Sequence, residues 1–213
     1  MRVVTGAALM GGGVALVLKA RLGLVPLDVL HAAVADRAGL TLGCGIVAVQ
    51  AVLLLLWWPL RIRPGLATVV TAVLPGVACD AVLAVLPTAG TPAQRVTALA
   101  TGGLLFALGV ALYLGARLGA NPRDGIIGHL AQRGHHPAAV RVALDLGCLT
   151  GGWLLIGPVH AIETGIVGAG SVVLALAFGP LISRLRRLID PGLAGAHTHS
   201  GAPQSASGGQ ARR

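Results

Sequence analysis

The sequence predicts an all-α integral membrane protein with about six transmembrane helices, arranged as two inverted repeats of three spans each. Of its 213 residues, 55% are hydrophobic and 11% are charged, and the mean hydropathy is +0.83. A soluble domain has about 25% charged residues, so this chain has too little polar surface to cover a globule. Apolar runs of about 18 or more residues recur, and each is long enough to cross a hydrocarbon core about 30 Å thick.

A motif that occurs twice, R-L-G-x-x-P-x-D, divides the chain into two halves. Its shared positions are Arg21, Leu22, Gly23, Pro26 and Asp28 in the first copy, and Arg117, Leu118, Gly119, Pro122 and Asp124 in the second. Each copy follows an apolar segment and opens a short segment of mixed polarity. Because proline suits the first turn of a helix, we expect short helices over residues 26–38 and 122–134. About 12 residues are too few to span a bilayer, so these helices are either re-entrant or interfacial.

Six predicted spans surround the two short segments. The first half, residues 1–92, contains spans at 3–18, 40–60 and 66–86, and the second half, 93–189, contains spans at 96–114, 140–156 and within 161–185. The first span has the basic start of a signal peptide, but residues 5–16 are echoed by 101–112, and a cleaved signal would not recur within a repeat. Residues 190–213 have no periodicity and the composition of a disordered tail.

The distribution of basic residues predicts the orientation. With the amino terminus inside, twelve of the 16 basic residues fall in the predicted inner segments, and the outer segments carry only Lys19, Arg21, Arg37 and Arg95. This positive-inside bias predicts that both termini are cytoplasmic. Halves of three spans insert in opposite orientations, so the two motif copies are expected on opposite sides of the membrane, the geometry of many secondary transporters.

The candidate site residues are polar groups in apolar surroundings. If the short segments dip into the membrane, Asp28 and Asp124 approach a common cavity from both sides. Helix amino termini there would attract an anion, whereas the carboxylates would bind a cation or relay protons. Alternatively, each aspartate only stabilises the first turn of its helix and needs no ligand.

Two further polar residues lie within predicted spans. A carboxylate such as Asp80 is costly inside a membrane unless it faces a cavity or a partner, or lies close enough to the surface to be solvated. Gln50 is expected either to form an interhelical hydrogen bond or to line the site. Arg141 and Asp145 are spaced i, i+4 and are expected to form a structural salt bridge.

Several classes of function are disfavoured. The net charge of +9 comes from short clusters that flank apolar segments, so we expect contact with the lipid bilayer and no nucleic acid partner. The three cysteines and seven histidines show no metal-binding spacing, and we expect no metal and no cofactor. No nucleophile–base constellation predicts an enzyme. Small-residue faces would let the first and fourth spans pack closely, within one chain or in a homodimer: Gly6, Gly13, Gly102 and Gly109.

Four stretches resemble bacterial membrane proteins of the YczE/YyaS/YitT type. They are GLVPLDVL at 23–30, WWPL at 57–60, RPGLAT at 63–68 and, as the second motif copy, NPRDG at 121–125. The resemblance covers about residues 3–188, with a departure at Ala67, where that family tends to have glycine. It implies a bacterial inner-membrane, multi-pass protein, and transport has been supposed for the family by fold-level analogy.

Two functions are compatible with these patterns. One is a small secondary transporter or permease that moves a small molecule or an ion through a site between the inverted repeats. The other is a non-transporting accessory protein that binds or stabilises a partner in the membrane. A dry interior, in which polar residues face protein rather than a cavity, would favour the second function.

Overall fold

A computed structural model describes residues 1–116 and 118–189; the motif residue Arg117 and the predicted tail 190–213 lie outside the described residues. The described residues form helices joined by short connections, with no strand among them. The helices are α1 (Arg2–Ala20), α2 (Pro26–Ala38), α3 (Leu42–Leu55), α4 (Trp57–Leu60), α5 (Leu66–Val85), α6 (Pro92–Gly115), α7 (Pro122–Gln132), α8 (Pro137–Ile156), α9 (Pro158–Glu163) and α10 (Ala169–Ile189).

Five of the described helices are long and apolar enough to cross a membrane. They are α1, α3 continued by α4 as Leu42–Leu60, α5, α6 and α8, which correspond to the first five predicted spans. The helix α10 occupies the position of the predicted sixth span but is not among these five, and it carries Arg184, Arg186 and Arg187 near its end.

The outer surface of these helices is apolar. Large hydrophobic side chains that are more than half exposed include Leu55 at 71%, Val77 at 57% and Leu154 at 77%. Soluble monomers rarely expose apolar surface so continuously, because its contact with water is unfavourable. Lipid removes that cost, so the chain has the exterior of a helical membrane protein.

The centre of the fold is a close antiparallel contact between α1 and α6. A Cβ atom added to Gly6 would lie 2.6 Å from the carbonyl oxygen of Gly109, and one added to Gly13 would lie 2.6 Å from that of Gly102. The absence of side chains therefore lets the two backbones touch. The expectation that these four glycines pack together is confirmed, and the contact lies within one chain.

Each motif copy contacts the start of a helix from the other half. The carbonyl oxygen of Leu22 accepts a hydrogen bond from the backbone N–H of Gly170 at 2.8 Å, at the start of α10. In the same way, the carbonyl oxygen of Leu118 accepts one from the N–H of Ala67 at 3.2 Å, at the start of α5. These bonds satisfy N–H groups that have no partner inside their own helices.

The motif glycines have matching backbone conformations. Gly23 has φ of 123° and Gly119 has φ of 124°, a region that favours glycine. A Cβ added to Gly23 would lie 2.7 Å from the backbone nitrogen of Ser171, and one added to Gly119 would lie 3.1 Å from Oγ1 of Thr68. The glycines are therefore required both by conformation and by the close approach of the opposite helix.

The two short helices differ in how deeply they are packed. In α2, which lies against α3 and α8, seven of 13 residues are buried, whereas only Pro122 and Ile126 are buried in α7. Both helices begin at the predicted proline, and Asn121 caps α7 by accepting a hydrogen bond from the N–H of Arg123 at 3.2 Å. One end of α7 is held by Trp57, whose Nε1 donates to the carbonyl oxygen of Pro122 at 2.9 Å.

Candidate functional site

The starts of α2 and α7 meet at one cavity of about 240 Å³ inside the helical bundle. One water molecule needs only about 10–15 Å³ of such volume, so the cavity is large enough for a small organic molecule. Its polar lining comes from five helices and the residue before α7: Asp28, His31, Gln50, Tyr113, Asn121, Arg123, Asp124, Arg141 and Asp145. Its apolar lining includes Met10, Val14, Phe106, Val110 and Phe178.

Asp28 and His31 form a buried pair on one face of α2. They are 7% and 2% exposed, and Nδ1 of His31 lies 2.9 Å from Oδ1 of Asp28. The i, i+3 spacing places both side chains on the same helix face. Because a carboxylate can only accept, Nδ1–H of His31 donates this hydrogen bond and the opposite ring nitrogen is left to find another partner.

Two buried polar atoms on the cavity wall have no hydrogen-bond partner in the described part of the chain. They are Nε2 of His31 and Oε1 of Gln50, and Gln50 is only 4% exposed. Leaving a buried donor or acceptor unsatisfied costs about 1–3 kcal/mol. A ligand in the cavity is one way in which the fold would recover this cost.

Asp124 belongs to a second cluster at the start of α7. The hydroxyl of Tyr113 donates to Oδ2 of Asp124, and Nε of Arg123 lies 3.8 Å from Oδ1. Arg123 also forms a salt bridge with Asp145 at 3.1 Å. Asp145 in turn lies 4.0 Å from Arg141, so the predicted i, i+4 pair is confirmed as a loose contact within a larger network.

Arg123 remains a cation in this network. Burial disfavours its charged form, but the carboxylates of Asp124 and Asp145 outweigh burial and raise the pKa of Arg123 above its ordinary value. Each guanidinium on the cavity wall is therefore paired with a carboxylate. Asp28 has no arginine or lysine within 4.0 Å in the described part of the chain.

The cavity is more accessible at α7 than at α2. The side chains of Asp28 and His31 are 9% and 3% exposed, whereas those of Asp124 and Asp145 are 28% and 27% exposed. The difference follows the shallower packing of α7. The buried pair on α2 thus forms the closed end of the cavity.

Asp80, in α5, does not line the cavity, and its side chain contacts the start of α3. Its Oδ2 accepts a hydrogen bond from the hydroxyl of Thr41 at 2.6 Å, and its Oδ1 accepts one from the N–H of Gly43 at 2.8 Å. Thr41 itself caps α3 by accepting from the N–H of Cys44 at 3.2 Å. The structure thus brings Asp28, Asp124 and Gln50 together and places Asp80 in a helix-capping cluster.

Sequence reasoning did not identify six of the nine polar residues of the cavity wall as site residues: His31, Tyr113, Asn121, Arg123, Arg141 and Asp145. Some signals were present, since His31 follows Asp28 by three positions and Arg123 lies inside the second motif copy. Tyr113 is the only tyrosine in the chain, and it lies near the end of α6. Residues 1–116 and 118–189 contain no group of three histidine, cysteine, aspartate or glutamate side chains placed to hold a metal ion.

Comparisons with known proteins agree with the resemblance seen in the motifs. The model of a family of unknown function, DUF6198, matches residues 1–187. An uncharacterized protein of Haemophilus influenzae is 29% identical over 184 residues, covering 85% of this chain and 80% of the relative. The uncharacterized membrane protein YczE of Bacillus subtilis is 28% identical over 181 residues, covering 83% of this chain and 80% of the relative. No solved structure matches the chain. The protein is therefore a helical membrane protein that belongs to the DUF6198 family and resembles YczE.

Proposed function

We propose that the protein is a small secondary transporter or permease whose substrate site is the cavity between the starts of α2 and α7. The observation that supports this most directly is that Asp28 and Asp124, one from each motif copy, line one cavity. Unpartnered polar atoms of His31 and Gln50 lie on the same wall. A protein that only supports a partner gains nothing from an internal polar cavity, whereas a carrier requires one.

An inverted repeat would place this site between two equivalent halves. Three relations support that arrangement. The first is that α1 and α6 cross antiparallel at their corresponding glycines, Gly6 with Gly109 and Gly13 with Gly102. The second is that each motif loop contacts a helix start in the opposite half. The third is that the motif glycines share one backbone conformation. In this proposal α10 is the sixth span, and substrate sites at such repeat interfaces lie near the bilayer midplane.

The orientation follows from the charge bias. Both termini are cytoplasmic in the proposed arrangement, and the chain lies in the bacterial cytoplasmic membrane as a multi-pass protein. The second motif copy then faces the cytoplasm and the first faces outward. Because α7 is the more exposed short helix, the cavity is the one expected of a state that opens inward and is closed at α2.

Alternating access would exchange the roles of α2 and α7. In the opposite state, α7 would pack as deeply as α2 does here, and α2 would loosen from α3 and α8. The substrate would bias this equilibrium only through different contacts in the two states. The contacts that would change are the hydrogen bond of Asp28 with His31 and that of the more exposed Asp124 with Tyr113.

The test begins with thermal unfolding of the purified protein in detergent against a broad panel of ions and metabolites. A ligand that binds the folded state raises the unfolding midpoint. At a ligand concentration of 100 times its Kd, the stabilisation is about 2.7 kcal/mol. We expect at least one stabilising compound, and we expect no stabilisation in the double variant Asp28→Asn, Asp124→Asn. The stabilising compound is then tested for uptake into sealed proteoliposomes that contain the wild-type protein or the double variant.

The accessory function makes the opposite prediction. In that case no compound stabilises the wild-type protein, and the double variant only melts at a lower temperature. Binding in detergent without uptake into proteoliposomes would also overturn the transporter proposal. Either result would direct attention to protein partners in the membrane.

A further inference from the structure

We propose that the ligand of this cavity is a small organic cation, with an ammonium group held by Asp28, His31 and Gln50 and an apolar body against Phe106 and Phe178. This inference rests on the proposed substrate site and names the chemistry that the site would select. Three independent features of the cavity support it: the balance of charge, the type of hydrogen-bonding atom left free, and the apolar wall.

The charge balance of the cavity favours a cation. Its wall carries three carboxylates, Asp28, Asp124 and Asp145, and two guanidinium groups, Arg123 and Arg141. The guanidinium groups lie within 4.0 Å of Asp124 and Asp145, while the partner of Asp28 in the described residues is His31. Counting only carboxylates and guanidinium groups, the wall carries one excess negative charge. An anionic ligand would have to displace a carboxylate from an arginine, whereas a cation could approach Asp28, which has no arginine or lysine within 4.0 Å in the described residues.

Two residues of the wall each carry a buried polar atom that has no hydrogen-bond partner in the described segments: Nε2 of His31 and Oε1 of Gln50. Nδ1–H of His31 donates to Asp28, which leaves Nε2 as the second hydrogen-bonding atom of that ring. Oε1 of Gln50 is an acceptor. An ammonium group brings donors and positive charge together, which matches an amide acceptor beside a carboxylate.

The rest of the wall is apolar and partly aromatic. The rings of Phe106 and Phe178 stack with centroids 5.1 Å apart and an angle of 10° between their planes. Met10, Val14 and Val110 extend this surface along α1 and α6. A metal ion would gain nothing from such a wall, and the described residues offer no three-ligand group for one. An apolar body attached to the ammonium group would bury hydrophobic surface there.

Three probes with one common ring separate the classes of ligand: benzylammonium, benzyl alcohol and benzoate. The full-length protein in detergent at pH 7 is titrated with each probe by calorimetry, and its unfolding midpoint is measured in parallel. We expect benzylammonium to bind and to raise the midpoint, and we expect neither the neutral alcohol nor the anion to do so. The common ring ensures that the difference reports the charged group alone.

Two cavity variants and one matched control locate the interaction. Asp28→Asn is expected to weaken benzylammonium binding at least tenfold, and Gln50→Leu, which keeps the volume but removes the free acceptor, is expected to weaken it severalfold. Asp36→Asn makes the same chemical change on the same helix, at a side chain that is 48% exposed and outside the cavity wall. Its affinity should stay within twofold of the wild type.

Several outcomes would overturn the inference. Binding of benzoate, or equal binding of benzyl alcohol and benzylammonium, would show that the carboxylate does not select the ligand. Binding of benzylammonium that is unaffected by both Asp28→Asn and Gln50→Leu would place the cation elsewhere. If Asp28→Asn does not fold, the binding affinity of Gln50→Leu alone decides whether the cation lies in this cavity. No binding of any probe would also reject the cation class. Benzylammonium binding without uptake into proteoliposomes would keep the cation site and reject transport, so the two proposals fail separately.

Discussion

Asp28 and Asp124 occupy equivalent positions of a repeated motif and line the same cavity, yet different side chains hold them. His31, on the same helix, donates to Asp28, whereas Tyr113, on the preceding helix, donates to Asp124. Asp28, His31 and Tyr113 are buried, whereas the side chain of Asp124 is 28% exposed. The repeated positions therefore share a location in the fold without sharing a local chemistry, which is why each aspartate is expected to respond differently to substitution.

The contact between α1 and α6 predicts that Gly13→Ala destabilises the protein. The added Cβ would lie 2.6 Å from the carbonyl oxygen of Gly102 and 2.7 Å from the backbone nitrogen of Phe106, and backbone atoms cannot move aside without separating the helices. Overpacking of this kind costs about 1–3 kcal/mol. The measurement is the thermal unfolding midpoint in detergent.

Gly12→Ala is the matched control for this substitution. It makes the same change at the preceding residue of α1, where the nearest atom to the added Cβ is Cγ2 of Val82 at 3.8 Å. Since alanine also favours helix more than glycine does, its midpoint should equal or exceed that of the wild type. Equal midpoints for the two variants would contradict the close contact at Gly13.

The backbone conformation of the motif loop predicts that Gly23→Ala strongly lowers the stability of the protein. Its φ of 123° is unfavourable for a residue with a side chain, and the added Cβ would lie 2.7 Å from the backbone nitrogen of Ser171. Backbone strain alone costs about 1–3 kcal/mol, and the clash adds to it. Gly134→Ala separates the two causes, because its φ is 91° but no described atom lies within 4 Å of the added Cβ. We expect the midpoint to fall further for Gly23→Ala, and an equal fall would assign the whole effect to backbone strain.

The hydrogen bond between Tyr113 and Asp124 predicts energetic coupling between these residues. Tyr113→Phe removes this hydrogen bond and Asp124→Asn weakens it by removing the charge of the acceptor, so the double variant should be less destabilised than the sum of the single variants. Residues in one network usually couple by about 0.5–3 kcal/mol. Combining Tyr113→Phe with Asp36→Asn, at an exposed residue of α2, should instead be additive. Additive midpoint changes in both cycles would show that the pair does not interact.

The position of Asp80 predicts a separation of stability from ligand binding. Asp80→Asn weakens the bonds to Thr41 and to the N–H of Gly43 at the start of α3, and the loss of such a cap costs about 1 kcal/mol. The unfolding midpoint should fall, while the affinity for benzylammonium or for any other stabilising compound should remain that of the wild type. Lost affinity at an unchanged midpoint would place Asp80 in the substrate site.

Much of the fold could be predicted from local features of the chain. Five predicted spans correspond to helices of membrane-crossing length, and both short helices begin at the motif prolines, Pro26 and Pro122. The close packing of Gly6 and Gly13 with α6 was also predictable, because small residues at helical spacing favour close backbone contact. The helix α7 ends at Gln132, two residues before the predicted end, since helix ends depend on weak local signals.

The candidate site was predictable only in part. Asp28, Asp124 and Gln50 were recognised as polar groups in apolar surroundings, and they line the cavity. Asp80 matched the same description, but from α5 its side chain bonds to the start of α3. Composition cannot tell a carboxylate that caps a neighbouring helix from one that faces a cavity. Tyr113 was missed because its hydroxyl has a role only once α6 brings it against Asp124.

The sequence by itself determined the class of the protein, five of its membrane-crossing helices and the location of its repeated helix starts. These properties depend on hydrophobicity and on backbone preferences, which act over a few neighbouring residues. Only the tertiary structure decided which polar side chains share a cavity, which pair with one another, and which carry a free acceptor. Those relations depend on how helices distant in sequence pack together, and the spacing of residues along the chain does not encode that packing directly.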